Sequence, residues 1–190
     1  MKRPYRTIVT IIPAIVLGMY AGLAQAQTDV SVKPSSRVKF QSCRLPNIEG
    51  ELRCGSYPVY ENRIAQTGRK IDLKILVLPA RTASPAGALF LLAGGPGQAA
   101  TDNAQFFATT FDAVRERRDI VMIDQRGTGG SNGLQCDLTA GSGMQGFFGD
   151  LFPLEAVKRC RRQLEQKANL RFYTTSIAMD DLDEVRAALG

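Results

Sequence analysis

The sequence contains no histidine in its 190 residues. Hydrolases that use a Ser-His-Asp triad take their general base from histidine, so these residues cannot hold a complete triad of that kind. The C-x-x-C spacing typical of zinc sites is missing as well, and no histidine could complete such a site. We therefore predict neither a metal nor a cofactor.

The sequence also lacks an apolar run long enough for a membrane span. Its candidate, residues 7–23, is interrupted by Pro13 and is shorter than the roughly 20 residues that a spanning helix needs. A basic start precedes the run, and Ala24-Gln25-Ala26 follows it with the small residues that signal peptidase favours. We predict that residues 1–26 are a signal peptide and that the mature chain begins at Gln27.

The predicted mature chain carries only a small net positive charge. The formal charge of the sequence is +6, and it falls to +3 without the three basic residues of the signal peptide. Such a mild excess lacks the concentrated basic face of a nucleic-acid-binding protein. The one local candidate, residues 158–162 (KRCRR), is interpreted as a solvated helical face. We predict an exported bacterial protein, secreted or periplasmic, without a stable membrane anchor and without a nucleic-acid partner, and make no prediction of its oligomeric state.

All four cysteines follow the predicted cleavage site. Disulfides form and persist in the oxidising environment that an exported chain enters, so we predict two of them. Four cysteines allow three pairings. Proximity in the sequence favours Cys43–Cys54 and Cys136–Cys160.

The mature chain has room for one domain, assigned to residues 38–190 after a loose polar leader at residues 27–37. Residues 70–78 first alternate apolar and polar and then become wholly apolar, which predicts a strand with one solvated face at its start. Residues 88–93 and 120–123 are continuously apolar, as in parallel strands covered on both faces. A helical pattern between these two runs completes a predicted βαβ unit.

Two further helices are predicted beyond a long Gly- and Ser-rich loop at residues 125–150. The first covers residues 154–167. Its inward positions are Leu154, Val157 and Leu164. The second begins near Ser176, and its apolar residues recur on one face at Ala178, Leu182, Val185 and Leu189.

The sequence GGSNG, residues 129–133, matches the G-x-S-x-G pattern of a serine-hydrolase nucleophile elbow. An elbow follows directly on a buried strand and opens into a helix, whereas seven residues, DQRGTGG, separate Ser131 from Ile123. The following segment holds too much glycine for a supporting helix, and the chain has no histidine to act as base. We therefore interpret Ser131 as a loop residue and not as a nucleophile.

The turn Gly94-Gly95-Pro96-Gly97 follows the first of the two continuously apolar runs. Adjacent glycines allow a tight turn that brings backbone N–H groups close to a bound atom, and Pro96 stiffens its exit. Such a turn suits an oxyanion hole, where backbone donors face the charge of a tetrahedral intermediate. A phosphate-binding turn is disfavoured because proline removes a donor and the G-x-G-x-x-G spacing fails at Ala100. A tight turn without function is the plain alternative.

A second polar segment leaves the other apolar run and is predicted to be a structural loop: Asp124, Gln125, Arg126 and Gly127. Asp124 and Arg126 can pair and hold this loop beside the turn at residues 94–97. Together LLAGGPGQ and DIVMIDQRGTGGSN resemble the α/β-hydrolase family, and more closely its exported branch related to proline iminopeptidases and tripeptidyl aminopeptidases. That branch typically reads HGGPG and then DQRG-x-G-x-S, so Ala93 stands where the family has histidine and Ser131 stands in the loop.

The resemblance covers residues 38–190 and implies an α/β-hydrolase fold with a mostly parallel sheet of βαβ units, truncated before the nucleophile elbow. It implies serine acyl transfer, with the Gly95 N–H as one oxyanion donor and Gly94, Pro96 and Gly97 shaping the turn. The family's serine, aspartate and histidine come later, in that order, outside these residues.

The resemblance thus predicts the N-terminal fragment of an exported aminopeptidase that releases N-terminal residues or short peptides. The fragment by itself is expected to be inactive, and the whole protein would act on a peptide or small acyl substrate. A non-catalytic exported binding module and an esterase on the same fold remain as alternatives.

Overall fold

The computed structural model describes residues 38–95, 97–136, 138 and 152–190. The strands are β1 (Lys39–Cys43), β2 (Leu52–Tyr60), β3 (Lys70–Leu78), β4 (Ala88–Leu91) and β5 (Asp119–Ile123). The helices are α1 (Ala104–Thr110), α2 (Asp112–Arg115), α3 (Leu154–Lys167) and α4 (Thr175–Leu189). Short 3₁₀ turns precede α1 and α4, at Thr101–Asn103 and Leu170–Phe172.

Several predictions fall outside the described residues. They are the signal peptide at 1–26, the leader at 27–37, Pro96, and the part of the Gly- and Ser-rich loop at 137 and 139–151. Within the described ranges, no helix combines the length and the apolar character needed to cross a bilayer.

The expected mostly parallel α/β-hydrolase half-fold is wrong, because the sheet is mixed. Its order is β1-β2-β3-β5-β4, and only the β4–β5 pair is parallel. The pairs β1–β2, β2–β3 and β3–β5 are antiparallel. The expectation extended the single βαβ unit to the whole sheet. Short connections such as residues 44–51 and 61–69 join antiparallel neighbours, whereas a parallel pair needs a crossover of a dozen or more residues.

The strand β3 has the burial that its sequence pattern predicts. From Lys70 to Lys74 its residues alternate between exposed and buried, and from Ile75 to Leu78 they are all buried. It ends before Pro79, which cannot donate to the sheet. The strand therefore begins with one solvated face and finishes inside the core.

The two continuously apolar runs differ in burial. In β5 four of five residues are buried, because the strand lies between β3 and β4. In β4 none is fully buried, and Leu92, just after it, is 52% exposed. The prediction that both strands are covered on both faces is therefore wrong for β4, which lies at the edge of the sheet.

The sheet carries an apolar cluster on each face. One cluster joins residues of β2, β3 and β5 to Leu182 and Val185 of α4. The other joins the alternate residues of β3 and β5 to Ala104, Phe107 and Phe111 of the α1 segment. Helices thus cover both faces of the central strands.

The predicted buried face is found on α4, whereas on α3 two of the residues predicted to face inward are exposed. On α4, Ala178, Leu182 and Val185 are buried, as their spacing predicts. On α3 only Ala156 is buried, while Leu154 is 64% exposed and Val157 is also exposed. The inward orientation predicted for Leu154 and Val157 is therefore wrong.

The cysteines form two disulfides, Cys43–Cys54 and Cys136–Cys160. This is the pairing that sequence proximity favours. The first ties β1 to β2, and the second ties the loop after β5 to α3. Two disulfides fit a secreted or exported protein in an oxidising compartment.

Candidate functional site

The turn that follows β4 is open to solvent. Gly94, Gly95 and Gly97 are exposed, and a Cβ atom built at any of them would meet nothing within 4 Å. Gly95 has a φ of +81°, which lies in the left-handed region that favours glycine. No acceptor among the described residues takes the Gly95 N–H, so this donor is available to a ligand.

Asp124 joins the loop after β4 to the loop after β5. Its carboxylate accepts the backbone N–H and the hydroxyl of Thr101, at 2.9 and 3.0 Å. The same carboxylate accepts the N–H of Gly130 at 3.0 Å. Asp124 is fully buried, so one carboxylate holds both loops through three hydrogen bonds.

Gly129 lies directly against the Asp124 carboxylate and Ala99. A Cβ there would lie 2.5 Å from the Asp124 carboxylate oxygen Oδ2 and 2.5 Å from the Ala99 Cβ, and its φ of +41° is left-handed. Only glycine lets the second loop approach Asp124 this closely. The spacing of the DQRG-x-G segment is thereby explained by packing.

Ser131 is buried, and its hydroxyl is engaged on both sides. Oγ donates to the Asp124 carbonyl at 2.7 Å and accepts the Lys74 N–H at 2.8 Å. Its backbone closes a tight turn with Thr128. These hydrogen bonds attach the loop to β3, and the buried hydroxyl is not accessible to a substrate.

Arg126 does not pair with Asp124, which corrects the expected contact between them. Its guanidinium instead forms two hydrogen bonds to Asp181 of α4, at 2.6 and 2.8 Å. It also donates to the carbonyls of Glu61 and Phe172, at 2.9 and 2.8 Å. Arg126 thus fastens the loop after β5 to α4 and to the hairpin that follows β2.

Beside Arg126, three polar side chains form a second network. Tyr173 donates its hydroxyl to the Glu61 carboxylate at 2.9 Å, and Asn132 donates to the Tyr173 oxygen at 2.5 Å. Burial raises the pKa of the Tyr173 phenol to about 12. The hydrogen bond from Asn132 lowers this pKa, whereas the hydrogen bond to Glu61 raises it further. The phenol therefore stays protonated and serves as a donor.

The sequence interpretation missed Asp181, Glu61, Thr101 and Tyr173. One of them carried a readable signal: Asp181 lies three residues after Ala178 and four before Val185, which places a carboxylate on the apolar face of α4. A charge at such a position needs a buried partner. Nothing local in the sequence identifies Arg126 as that partner, because 55 residues separate them.

This arrangement presents one backbone donor to solvent or to an oxygen atom of a ligand. The open turn offers the backbone donor of Gly95, and Asp124 ties the exit of that turn to a hydrogen-bonded loop. Within the described ranges, no group of three His, Cys, Asp or Glu side chains is arranged to hold a metal ion. The Gly95 donor is a neutral N–H group, which suits charge that develops on an oxygen during a reaction.

A scan against protein-family models finds no match for this chain, and a search of curated proteins finds none either.

Proposed function

We propose that these residues supply the oxyanion-binding turn of an exported serine hydrolase of the aminopeptidase type. The observation that carries the proposal is the exposed Gly95 N–H, which has no acceptor among the described residues and lies in an open turn at the end of β4. Backbone donors held in this way stabilise a tetrahedral oxyanion because they need no reorganisation during the reaction.

The support behind the turn favours the same function. Asp124 holds Thr101 at the exit of the turn, and the buried Ser131 hydroxyl holds the neighbouring loop to β3. An oxyanion donor must be fixed to a fraction of an ångström to be effective.

The nucleophile and the general base of this proposed enzyme come from outside the 190 residues. The chain contains no histidine, and the described geometry buries Ser131. The resemblance of LLAGGPGQ and DIVMIDQRGTGGSN to the proline iminopeptidase and tripeptidyl aminopeptidase branch supports peptides as the substrate. The two disulfides, together with the basic and apolar start of the sequence, support export through a signal peptide.

The first experiment compares residues 27–190 with the protein translated from the whole open reading frame. Each is given aryl amides of single amino acids, of proline and of tripeptides, together with short acyl esters and a fluorophosphonate probe. We expect hydrolysis and labelling only from the longer protein, with aryl amides preferred. Turnover by residues 27–190, or labelling of Ser131, would overturn the proposal, and a preference for acyl esters would redirect it to an esterase.

The second experiment removes the Gly95 N–H alone. Glycolic acid incorporated in place of Gly95 in the active protein converts one peptide bond to an ester and deletes this donor. We expect kcat to fall about 10²–10³-fold with little change in KM, as for other oxyanion donors. The matched control is the same ester at Gly68, a glycine of the β2–β3 hairpin with open space around it, where kcat is expected to hold. An unchanged kcat at Gly95 would refute its role.

A further inference from the structure

A shallow cavity of about 590 Å³, largely open to solvent, lies between the C-terminal end of α3 and the β2–β3 hairpin. It is lined by Glu61, Arg69, Arg161, Glu165, Ala168, Asn169, Leu170 and Arg171. Its volume falls in the range of small-molecule sites. None of the described residues of the turn at 94–97 lines it, so the proposed oxyanion site does not account for it.

The floor of the cavity is a hydrogen-bonded network around Glu61. The buried Glu61 carboxylate accepts the Asn169 N–H at 3.0 Å and the Tyr173 hydroxyl at 2.9 Å. Ala168 beside it is also buried. The Asn169 side chain in turn accepts the Arg171 N–H at 3.3 Å, which fixes the backbone that carries Arg171.

Three arginines from three separate elements meet at the walls. Arg161 belongs to α3 and is paired with Glu165 at 2.7 Å. Arg69 precedes β3 and is ion-paired with Glu61 at 3.7 Å, a separation too long for a hydrogen bond. The Arg171 side chain has no hydrogen bond or ion pair with any other described residue. Two guanidinium groups are thus left with unused donors at one cavity.

We infer that this cavity binds a small organic anion that carries carboxylate or phosphate groups, with Arg69 and Arg171 as its principal contacts. A guanidinium group donates two parallel hydrogen bonds to either anion. Three arginines against two glutamates leave the lining with an excess of one positive charge. The anion lies on the arginine side, because the Glu61 carboxylate would repel it from the floor.

The basic residues of the KRCRR run are all exposed on α3, as the interpretation of a solvated helical face predicts, and Arg161 of the run also lines the cavity. A solvated face brings basic residues from one helix, whereas this cavity combines Arg161 of the run with Arg69 and Arg171 from other parts of the chain. The convergence is created by the fold and has no counterpart in the local sequence.

The test uses the oxidised chain, residues 27–190, in calorimetric titrations with citrate, tripolyphosphate and a short acidic peptide at low ionic strength. We expect saturable binding of at least one probe, weakened by added salt as screening predicts. Arg69→Gln with Arg171→Gln should weaken binding by about tenfold or more, the loss expected for charge-assisted hydrogen bonds. Binding of citrate alone identifies carboxylate as the ligand group, and binding of tripolyphosphate alone identifies phosphate.

The control pair, Arg44→Gln with Arg117→Gln, removes the same charge from exposed positions outside the cavity. It should leave the Kd unchanged. Equal weakening of probe binding by both double variants would show that the effect is one of general electrostatics and would overturn the inference. Failure of all three probes to bind would overturn it as well. Chemical-shift changes in the wild-type chain provide a check without any variant, and they should centre on residues 69 and 165–171. Shifts elsewhere would also overturn it. These outcomes are independent of whether the whole protein is a hydrolase.

Discussion

Arg126 and Asp181 form a two-pronged ion pair, with hydrogen bonds of 2.6 and 2.8 Å between side chains that are each 1% exposed. Arg63 adds a third bond to the same carboxylate at 2.8 Å. The pair connects the loop after β5 to the middle of α4. Because both charges are desolvated, each depends on the other for compensation.

Asp181→Ala is expected to lower the free energy of unfolding by about 3–5 kcal/mol, the loss typical when one member of a buried pair is removed. The Arg126 charge would then be buried with only carbonyl partners. Urea denaturation followed by circular dichroism measures the loss. The matched control is Asp183→Ala on the same helix, where only an exposed pair with Arg186 is lost and about 0.2–1 kcal/mol is expected. Equal losses would contradict the assigned role of Asp181.

Ser131→Ala is expected to cost about 1–3 kcal/mol of stability, because the buried Asp124 carbonyl loses its donor and the Lys74 N–H loses its acceptor. Ser84→Ala, at an exposed position, should change stability by less than about 0.5 kcal/mol. The same two variants can be tested for fluorophosphonate labelling. We expect none in the wild-type chain or in either variant. Labelling that disappears only in Ser131→Ala would show the hydroxyl to be a nucleophile after all.

Gly129→Ala and Gly94→Ala form a matched pair. The first places a methyl group 2.5 Å from the Asp124 carboxylate at a left-handed φ, so a loss of about 1–3 kcal/mol is expected from overpacking, with backbone strain added. The second places a methyl group in open space, and about 0.5 kcal/mol or less is expected. Thermal and urea unfolding of both variants give the comparison. Similar losses at the two positions would be inconsistent with the close approach at Gly129.

Tyr173 links stability to alkaline pH. Its pKa of about 12 in the fold exceeds the ordinary phenol value of about 10, so the folded state favours the protonated form. The resulting stabilisation is complete below pH ~10 and is lost as the pH rises towards 12. The fall in unfolding free energy over this window should be steeper in the wild type than in Tyr173→Phe.

Phenolate absorbance provides a direct check on Tyr173. The component of the folded-state titration near pH 12 should disappear in Tyr173→Phe. A wild-type titration without such a component, or one left unchanged by Tyr173→Phe, would contradict the predicted linkage.

The parts of the fold that follow a periodic pattern could be predicted from the sequence. In β3 an alternation of polar and apolar residues fixes which face is solvated, and in α4 the spacing from Ala178 to Val185 fixes the buried stripe. The disulfide pairing follows from proximity. Each of these depends only on residues close together in the chain.

The parts that depend on distant neighbours could not be predicted. Whether β1, β2 and β3 run parallel or antiparallel depends on which strands they pair with, and a single βαβ unit does not determine that pairing. The exposure of β4 reflects its place at the edge of the sheet, and the exposed Leu154 shows that helical spacing alone does not fix which face is covered. The contacts of Asp124 and Arg126 likewise join loops far apart in sequence.

The disulfides join cysteines that are consecutive in the sequence, 11 and 24 residues apart. In a chain that enters an oxidising compartment from its N-terminus, Cys43 and Cys54 emerge together, well before Cys136. An oxidant that pairs each cysteine with the next cysteine to enter the compartment therefore forms the native disulfides, Cys43–Cys54 first and Cys136–Cys160 second. Oxidative folding of this protein then requires a thiol oxidant but no rearrangement of mispaired bonds by thiol–disulfide exchange.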